Sequence, residues 1–426
     1  MEYSKYHMGN YRIHIIKTDK FKTICTRINF KRKIKEDEIT LRRFLSYMLL
    51  NSSKNFKTER ELNIEIENLY NIGLNSNVNR SGRYSILSFS MNLLNEKYTE
   101  KGMLKQSFEF LKELIFNPNI DNNSFDEASF ELIKKTLQEE IESFKDNPKR
   151  YSKYRLYEQT APDSILACKP CGNLEDLDEI TPESLYNYYE SVIKNDILDI
   201  FIIGDIDEIE VKKIISGIIP NYTRKIENEK HYLNYLKENE EKQIIEIGDY
   251  NQSNLAISFR LDKLTDFESE YVLQVFNFIF GGGSESKLFQ EVREKNSLCY
   301  SIGANSMLLD RLVIVTAGID ANSFDKTVEL IRQCLEEMKT GNFDTDDIKK
   351  AKTVYINGCR EMLDSPISIL NNFISKEYLN VDLIEEKMKK IKKVTKEMVI
   401  ELGKKIHIDT IYLLKGGLDN EKDTSN

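Results

Sequence analysis

Short signatures recur in this chain at one constant offset of 218 residues, which restricts it to folds built from two like halves. Phe125-Asp126 returns as Phe343-Asp344, and Asp146-Asn147-Pro148 returns as Asp364-Ser365-Pro366. Two further pairs keep the same order along the chain: Ile28-Asn29-Phe30 resembles Ile257-Ser258-Phe259, and Ile180-Thr181 resembles Val394-Thr395. The periodicity agrees. In the first half, strands are predicted over Tyr11 to Lys17, Thr23 to Phe30, Arg83 to Leu93 and Ile197 to Ile203. Helices are predicted from about Glu38 and Glu59, over Leu104 to Phe116 and Asp126 to Phe144, and near Pro182. The second half opens on a strand, Leu255 to Leu261, runs through a helix, two more strand candidates and long helices, and ends on a strand near Thr410 to Leu414. Strands and helices do not alternate strictly, so the expected class is α+β: two homologous lobes, each a mixed sheet packed with helices. The expected division is an N-terminal lobe over 1–220, a linker over 221–243 rich in Lys, Glu and Asn, and a C-terminal lobe over 244–426.

At 426 residues, 40% of them apolar, the chain can bury more than one core. Its 61 basic and 70 acidic residues give a formal charge of -9, which argues against a nucleic-acid partner held through phosphates. The N-terminus has no apolar run of signal-peptide length and no stretch approaches a membrane span, so a soluble, cytoplasmic protein is expected. Six scattered cysteines fit reduced intracellular thiols. Cys168-Lys169-Pro170-Cys171 has the spacing of a redox pair or half a zinc site. No second pair or nearby histidine completes it, so the spacing is read as accidental. The four histidines, His7, His14, His231 and His407, include no pair at helical spacing.

In the second half, Phe280-Gly281-Gly282-Gly283-Ser284-Glu285-Ser286-Lys287-Leu288-Phe289-Gln290-Glu291-Val292-Arg293 leads through Leu298-Cys299-Tyr300-Ser301. This long motif resembles the hallmark of the C-terminal lobe of the pitrilysin/insulinase family of zinc peptidases, to which mitochondrial processing peptidase also belongs. The resemblance spans nearly the whole chain. It implies a two-lobed metallohydrolase fold and an inverted zinc motif, His-x-x-Glu-His, on the first helix. Positions i, i+3 and i+4 share one helix face, so two imidazoles can grip the metal while the carboxylate acts as base. The matching stretch here is Arg43-Phe44-Leu45-Ser46-Tyr47. Arg43 and Tyr47 stand where the histidines would be, and Ser46 stands where the base would be. A guanidinium cannot be deprotonated to ligate a metal, and a phenol or hydroxyl is a poor zinc donor. Glu140, within Gln138-Glu139-Glu140-Ile141, matches the third ligand position without partners and is read as a solvated or salt-bridged helix residue.

The resemblance therefore implies an inactive homologue that is not a peptidase alone, with no cofactor of its own and zinc in the partner. The implied partner is an active peptidase chain of the same family, the implied ligand is a peptide, and a homodimer of the isolated chain stays open. Arg293 and Tyr300 match the family's substrate-facing arginine and tyrosine, which can clamp a carbonyl and donate to an oxyanion. Gly281, Gly282 and Gly283 fit a loop over a peptide and equally a helix-ending turn. Two other readings stand beside this one: a metallopeptidase acting alone through an unrecognised site, and a purely structural interaction protein.

Overall fold

The structure, a computed structural model, describes residues 1–220, 222 and 240–416. It divides into two compact units, each containing a segment from the other half of the sequence. The first comprises Met1–Glu142, Lys169–Tyr232 and Asp364–Asn380; the second comprises Ser143–Cys168, Leu233–Leu363 and Val381–Asn426.

The first unit holds β1 (Glu2–His7), β2 (Arg12–Lys17), β3 (Thr23–Lys33), β4 (Gly73–Ser81), β5 (Tyr84–Leu94), the short hairpin β6 (Ile120–Asp121) and β7 (Ser124–Phe125), and β8 (Ile197–Gly204). The second holds β9 (Lys242–Ile247), β10 (Ser253–Leu261), β11 (Cys299–Met307), β12 (Leu312–Ile319) and β13 (Ile406–Lys415). The sheet orders are β1-β2-β8-β3-β5-β4 and β11-β12-β10-β13-β9. Setting β1 aside and reversing the second order gives one topology twice, each copy with a single parallel pair, β2 with β8 and β9 with β13. The repeated letters fall on equivalent places. Ile28-Asn29-Phe30 and Ile257-Ser258-Phe259 lie on the matching strands β3 and β10, and Thr181 and Thr395 each cap a helix through the side chain.

The most useful repeat is Asp-Asn/Ser-Pro. Asn147 accepts from Arg150 N and Ser365 from Ser368 N, so each caps a helix with proline in its first turn, Pro148–Thr160 and Pro366–Leu379. These are the helices that each unit takes from the other half of the chain. The expected cut at 220 and 244 is corrected accordingly. An amphipathic pattern shows that a helix buries a face, but not which sheet receives it. Most of the expected linker lies outside the described residues, and its last two residues, Lys242 and Gln243, begin β9.

In the second unit, Thr160 Oγ1 meets Ser258 Oγ at 2.8 Å, while Tyr151, Tyr412 and Arg155 all donate to Glu246 at 2.7 to 3.0 Å. Burial raises the Glu246 carboxyl, but these three donors outweigh it and hold the group below its usual range. In the first unit, Ile369, Leu370, Phe373 and Tyr378 of helix Pro366–Leu379 are buried. Each such apolar side chain contributes about 1.5–3 kcal/mol. Asn29 Nδ2, the counterpart of Ser258, donates to Tyr378 Oη at 3.1 Å. The Lys31 ammonium lies 4.3 Å from the Tyr378 ring centroid.

Burial pushes Lys31 down to about 8. An unfolded lysine titrates near 10.4, so between pH 8 and about 10.4 the unfolded chain binds the extra proton and stability rises with pH. Lys31→Met is expected to remove that rise, read as a parent-minus-variant difference in denaturation midpoint that grows in the parent's favour as pH increases across this window. A parent curve no steeper than the variant's would contradict it.

Candidate functional site

The degenerate motif lies on helix Ile39–Met48, whose buried face carries Arg42, Phe44, Leu45 and Met48. Arg42 sets its rotation: one guanidinium nitrogen donates to Phe30 O at 2.6 Å and to Asp196 Oδ2 at 2.8 Å. Phe44 stacks on Phe130 of helix Glu127–Glu142, with ring centroids 4.8 Å apart. That contact brings the next face of the first helix against Glu140. Arg43 grips Glu140 in a fork, Nε to Oε2 at 3.1 Å and Nη2 to Oε1 at 2.9 Å. Tyr47 Oη donates to Glu140 Oε2 at 2.9 Å and accepts from Arg43 Nη2 at 2.5 Å. The Arg43 guanidinium also lies 4.6 Å from the Tyr47 ring centroid.

Three side chains thus converge at the three positions expected of a metal site, with a fixed guanidinium cation between a phenol and a carboxylate. Burial and the Glu140 hydrogen bond raise the Tyr47 phenol, keeping it a neutral donor. Ser46 faces inward, with Oγ donating to Arg43 O of its own helix at 2.7 Å, and it cannot serve as a base. The donor set does not fit zinc: Arg43 has no lone pair to give, and Glu140 is spent on Arg43 and Tyr47. Among the described residues, no three His, Cys, Asp or Glu side chains are grouped so as to hold a metal ion. Glu140 is salt-bridged, as one of the two sequence readings had it.

Beside this helix lies β4, an edge of its sheet, tied to it by a hydrogen bond from Ser76 Oγ to Ser46 O. Sequence reasoning missed this strand. Its signal was present as a period of two: Asn75, Asn77 and Asn79 are exposed while Leu74, Ser76 and Val78 are half-buried.

In the second unit, Arg293 sits on a π-helical turn, Phe289–Lys295, a widened geometry frequent at functional sites. Its guanidinium lies 4.5 Å from the Phe289 ring centroid and 5.6 Å from that of Tyr300, so the structure brings Arg293 and Tyr300 together. Tyr300 is 79% exposed. It lies on the edge strand β11 at a register shift between Cys299 and Ser301, a bulge that re-aims the side chain. The glycines divide. Gly281 ends helix Leu273–Gly281 and has no room for a Cβ, which would meet Ala304 Cβ at 2.7 Å. Gly282 caps that helix, and Gly283 faces open space. Cys168 and Cys171 form no disulfide. No helix among the described residues is long and apolar enough to cross a membrane.

Two repeated α+β units, one with a pseudo-metal site and the other with an exposed Arg-Tyr pair, define a metallopeptidase fold stripped of its metal donors. Residues 179–355 match the family model described as the Peptidase M16 inactive domain. The chain is 32% identical over 416 residues to the probable inactive metalloprotease YmfF of Bacillus subtilis, covering 96% of both chains. Its structure resembles that of a conserved protein from Enterococcus faecalis V583, with a TM-score of 0.92 and 27% identity over 98% of this chain and 99% of that one. It also resembles a Peptidase M16 inactive domain from Pseudomonas fluorescens, with a TM-score of 0.79 and 15% identity over 98% and 99% of the two chains. The chain belongs to the M16 peptidases, the pitrilysin/insulinase family, as an inactive member.

Proposed function

We infer that this chain is the non-catalytic half of a heterodimeric peptidase, in which an active M16 chain supplies zinc and base. This subunit presents Tyr300 and Arg293 to the peptide. The observation that carries the reading is the placement of Tyr300. A large phenol 79% exposed on an edge strand, at a bulge and beside a guanidinium, suits a contact surface better than a resting packing position. The outer edge of β11 is available to an extended peptide for main-chain hydrogen bonds, while the Tyr300 hydroxyl can donate to a carbonyl that gains charge. Arg293 supports it by fixing the ring and adding positive potential. Cytoplasmic residence fits six cysteines that form no disulfide.

The test is co-expression with an M16 chain bearing an intact His-x-x-Glu-His, followed by hydrolysis of a fluorogenic peptide. The pair is expected to be active and neither chain alone. Tyr300→Phe or Arg293→Ala should each lower the pair's rate roughly tenfold without preventing association, about the worth of one charge-assisted hydrogen bond. Chelator-sensitive hydrolysis by this chain alone would instead establish a self-sufficient enzyme. Full activity in both variants would leave a scaffold.

A further inference from the structure

Under helix Pro148–Thr160, against the ends of β10, β11 and β12, the second unit holds a half-open pocket of about 180 Å³. Its polar walls are Lys149, Ser152 and Lys153 from the helix and Asn254, Ser301 and Thr316 from the sheet. No carboxylate is among the described residues that line it, in a chain whose formal charge is -9. Elsewhere on this surface lysines are routinely paired, as Lys287 is with Glu337 and Lys295 with Glu291. Lys149 and Lys153 lie one turn apart on one helix face and form no ion pair among the described residues. Ser152 and Asn254 are 2% and 4% exposed, so the inner wall is built of buried polar groups rather than surface side chains.

Those groups have capacity to spare. Ser152 Oγ reaches only Lys149 O, at 3.4 Å, and Asn254 uses its amide nitrogen on Gln252 O at 3.0 Å. The Ser301 and Thr316 hydroxyls make no side-chain hydrogen bond among the described residues. Two ammonium groups and three hydroxyls facing one space match a small anion with several acceptor lone pairs. The volume is below the roughly 300–1,000 Å³ of sites that enclose a drug-sized molecule, so the cavity takes a group and not a whole ligand. Ser301 follows Tyr300 directly, and consecutive Cα atoms are about 3.8 Å apart. A peptide in contact with Tyr300 is therefore within reach of the cavity.

We propose that this cavity is a carboxylate subsite that selects peptides carrying a free C-terminus or an acidic side chain next to the residues held at Tyr300. The proposal rests on the reading of β11 and Tyr300 as a peptide-contacting surface. It gives that surface a chemical preference.

The test uses the full chain and three fluorescent versions of one short unstructured peptide, followed by anisotropy. One has a free C-terminus and no acidic side chain, one is C-terminally amidated, and one is amidated with an internal glutamate. One or both carboxylate-bearing peptides are expected to bind about tenfold more tightly than the neutral amide, and the preferred one identifies the source of the carboxylate. Added salt should erode the advantage, and the double variant Lys149→Ala/Lys153→Ala should abolish it while still binding the neutral peptide. Both lysines are exposed, so the variant is expected to fold, checked by its circular dichroism spectrum. Equal binding of all three peptides, or a preference unchanged in the double variant, overturns the subsite alone. Failure of every peptide to bind overturns the peptide-contact reading together with the subsite.

Discussion

Asp199→Ala is expected to destabilise the first unit by about 3–5 kcal/mol, the usual cost of removing one member of a buried ion pair. Asp199 is fully buried on β8 and receives Arg12 in a fork, Nε to Oδ1 at 2.5 Å and Nη2 to Oδ2 at 2.8 Å. His14, also fully buried, places Nε2 3.7 Å away and stacks on Phe201, while its Nδ1 meets Tyr3 Oη at 2.8 Å. Arg12 also lies 3.4 Å from Glu377 of helix Pro366–Leu379, which pairs with Lys5 at 2.6 Å. Alanine at 199 leaves a guanidinium in the interior with only a long contact to Glu377, beneath the helix taken from the other half of the chain.

The pH dependence provides an independent check. Burial alone would raise the Asp199 carboxyl, but the forked hydrogen bonds and charge of Arg12, with the His14 ring nearby, hold it well below the carboxylate range. A depressed folded value contributes stability that is present above the unfolded value near 3.9 and lost as pH falls below it. The acid limb of the parent's stability curve should therefore be steeper than the variant's. Amide exchange in β2, β3 and β8 reports the same loss locally. A variant within about 1 kcal/mol of the parent, with an unchanged acid limb, would mean that the cluster is not what holds this face together.

What could be read from the chain follows from which interactions are local. The central strands β8, β10 and β13 stand out as apolar-rich runs because both faces are buried, and their predicted positions and that of β3 agree with the structure to within a few residues. The edge strands β1, β4 and β9 were missed: each largely alternates exposed and half-buried residues, and their pairing partners set their conformation more than their composition does. The helix exchange was invisible for a related reason. Asn147 and Ser365 announce where the two helices start, but the groups that place them, Ser258 and Glu246 in one unit and Asn29 and Arg12 in the other, are distant in sequence. At the candidate site, the motif register alone aligned Arg43, Tyr47 and Glu140. It did not show that the three bond to one another, because that depends on the packing of Phe44 on Phe130.

The same convergence sets the expected behaviour of Arg43→His/Tyr47→His, which should acquire about one zinc ion per chain where the parent is expected to hold none. Donors around a tetrahedral zinc at about 2.0–2.1 Å lie roughly 3.3 Å from one another, comparable to the hydrogen-bond lengths that now join these side chains. Arg43 Nε and Tyr47 Oη stand 3.1 and 2.9 Å from Glu140 Oε2, so the backbone already aims positions 43 and 47 at one carboxylate. Replacing the guanidinium also releases Glu140 from its fork, giving two imidazoles and a glutamate, a ligand set zinc accepts. Adding Glu140→Gln should strip most of the metal, measured as zinc content after dialysis and as zinc-dependent gain in melting temperature. A folded double variant that takes up no zinc would show that the present cluster has drifted from metal geometry as well as metal chemistry. Uptake should come without peptide hydrolysis. Ser46 is fully buried with its hydroxyl committed to Arg43 O, so metal affinity and catalytic base were lost at separate positions and are recovered separately.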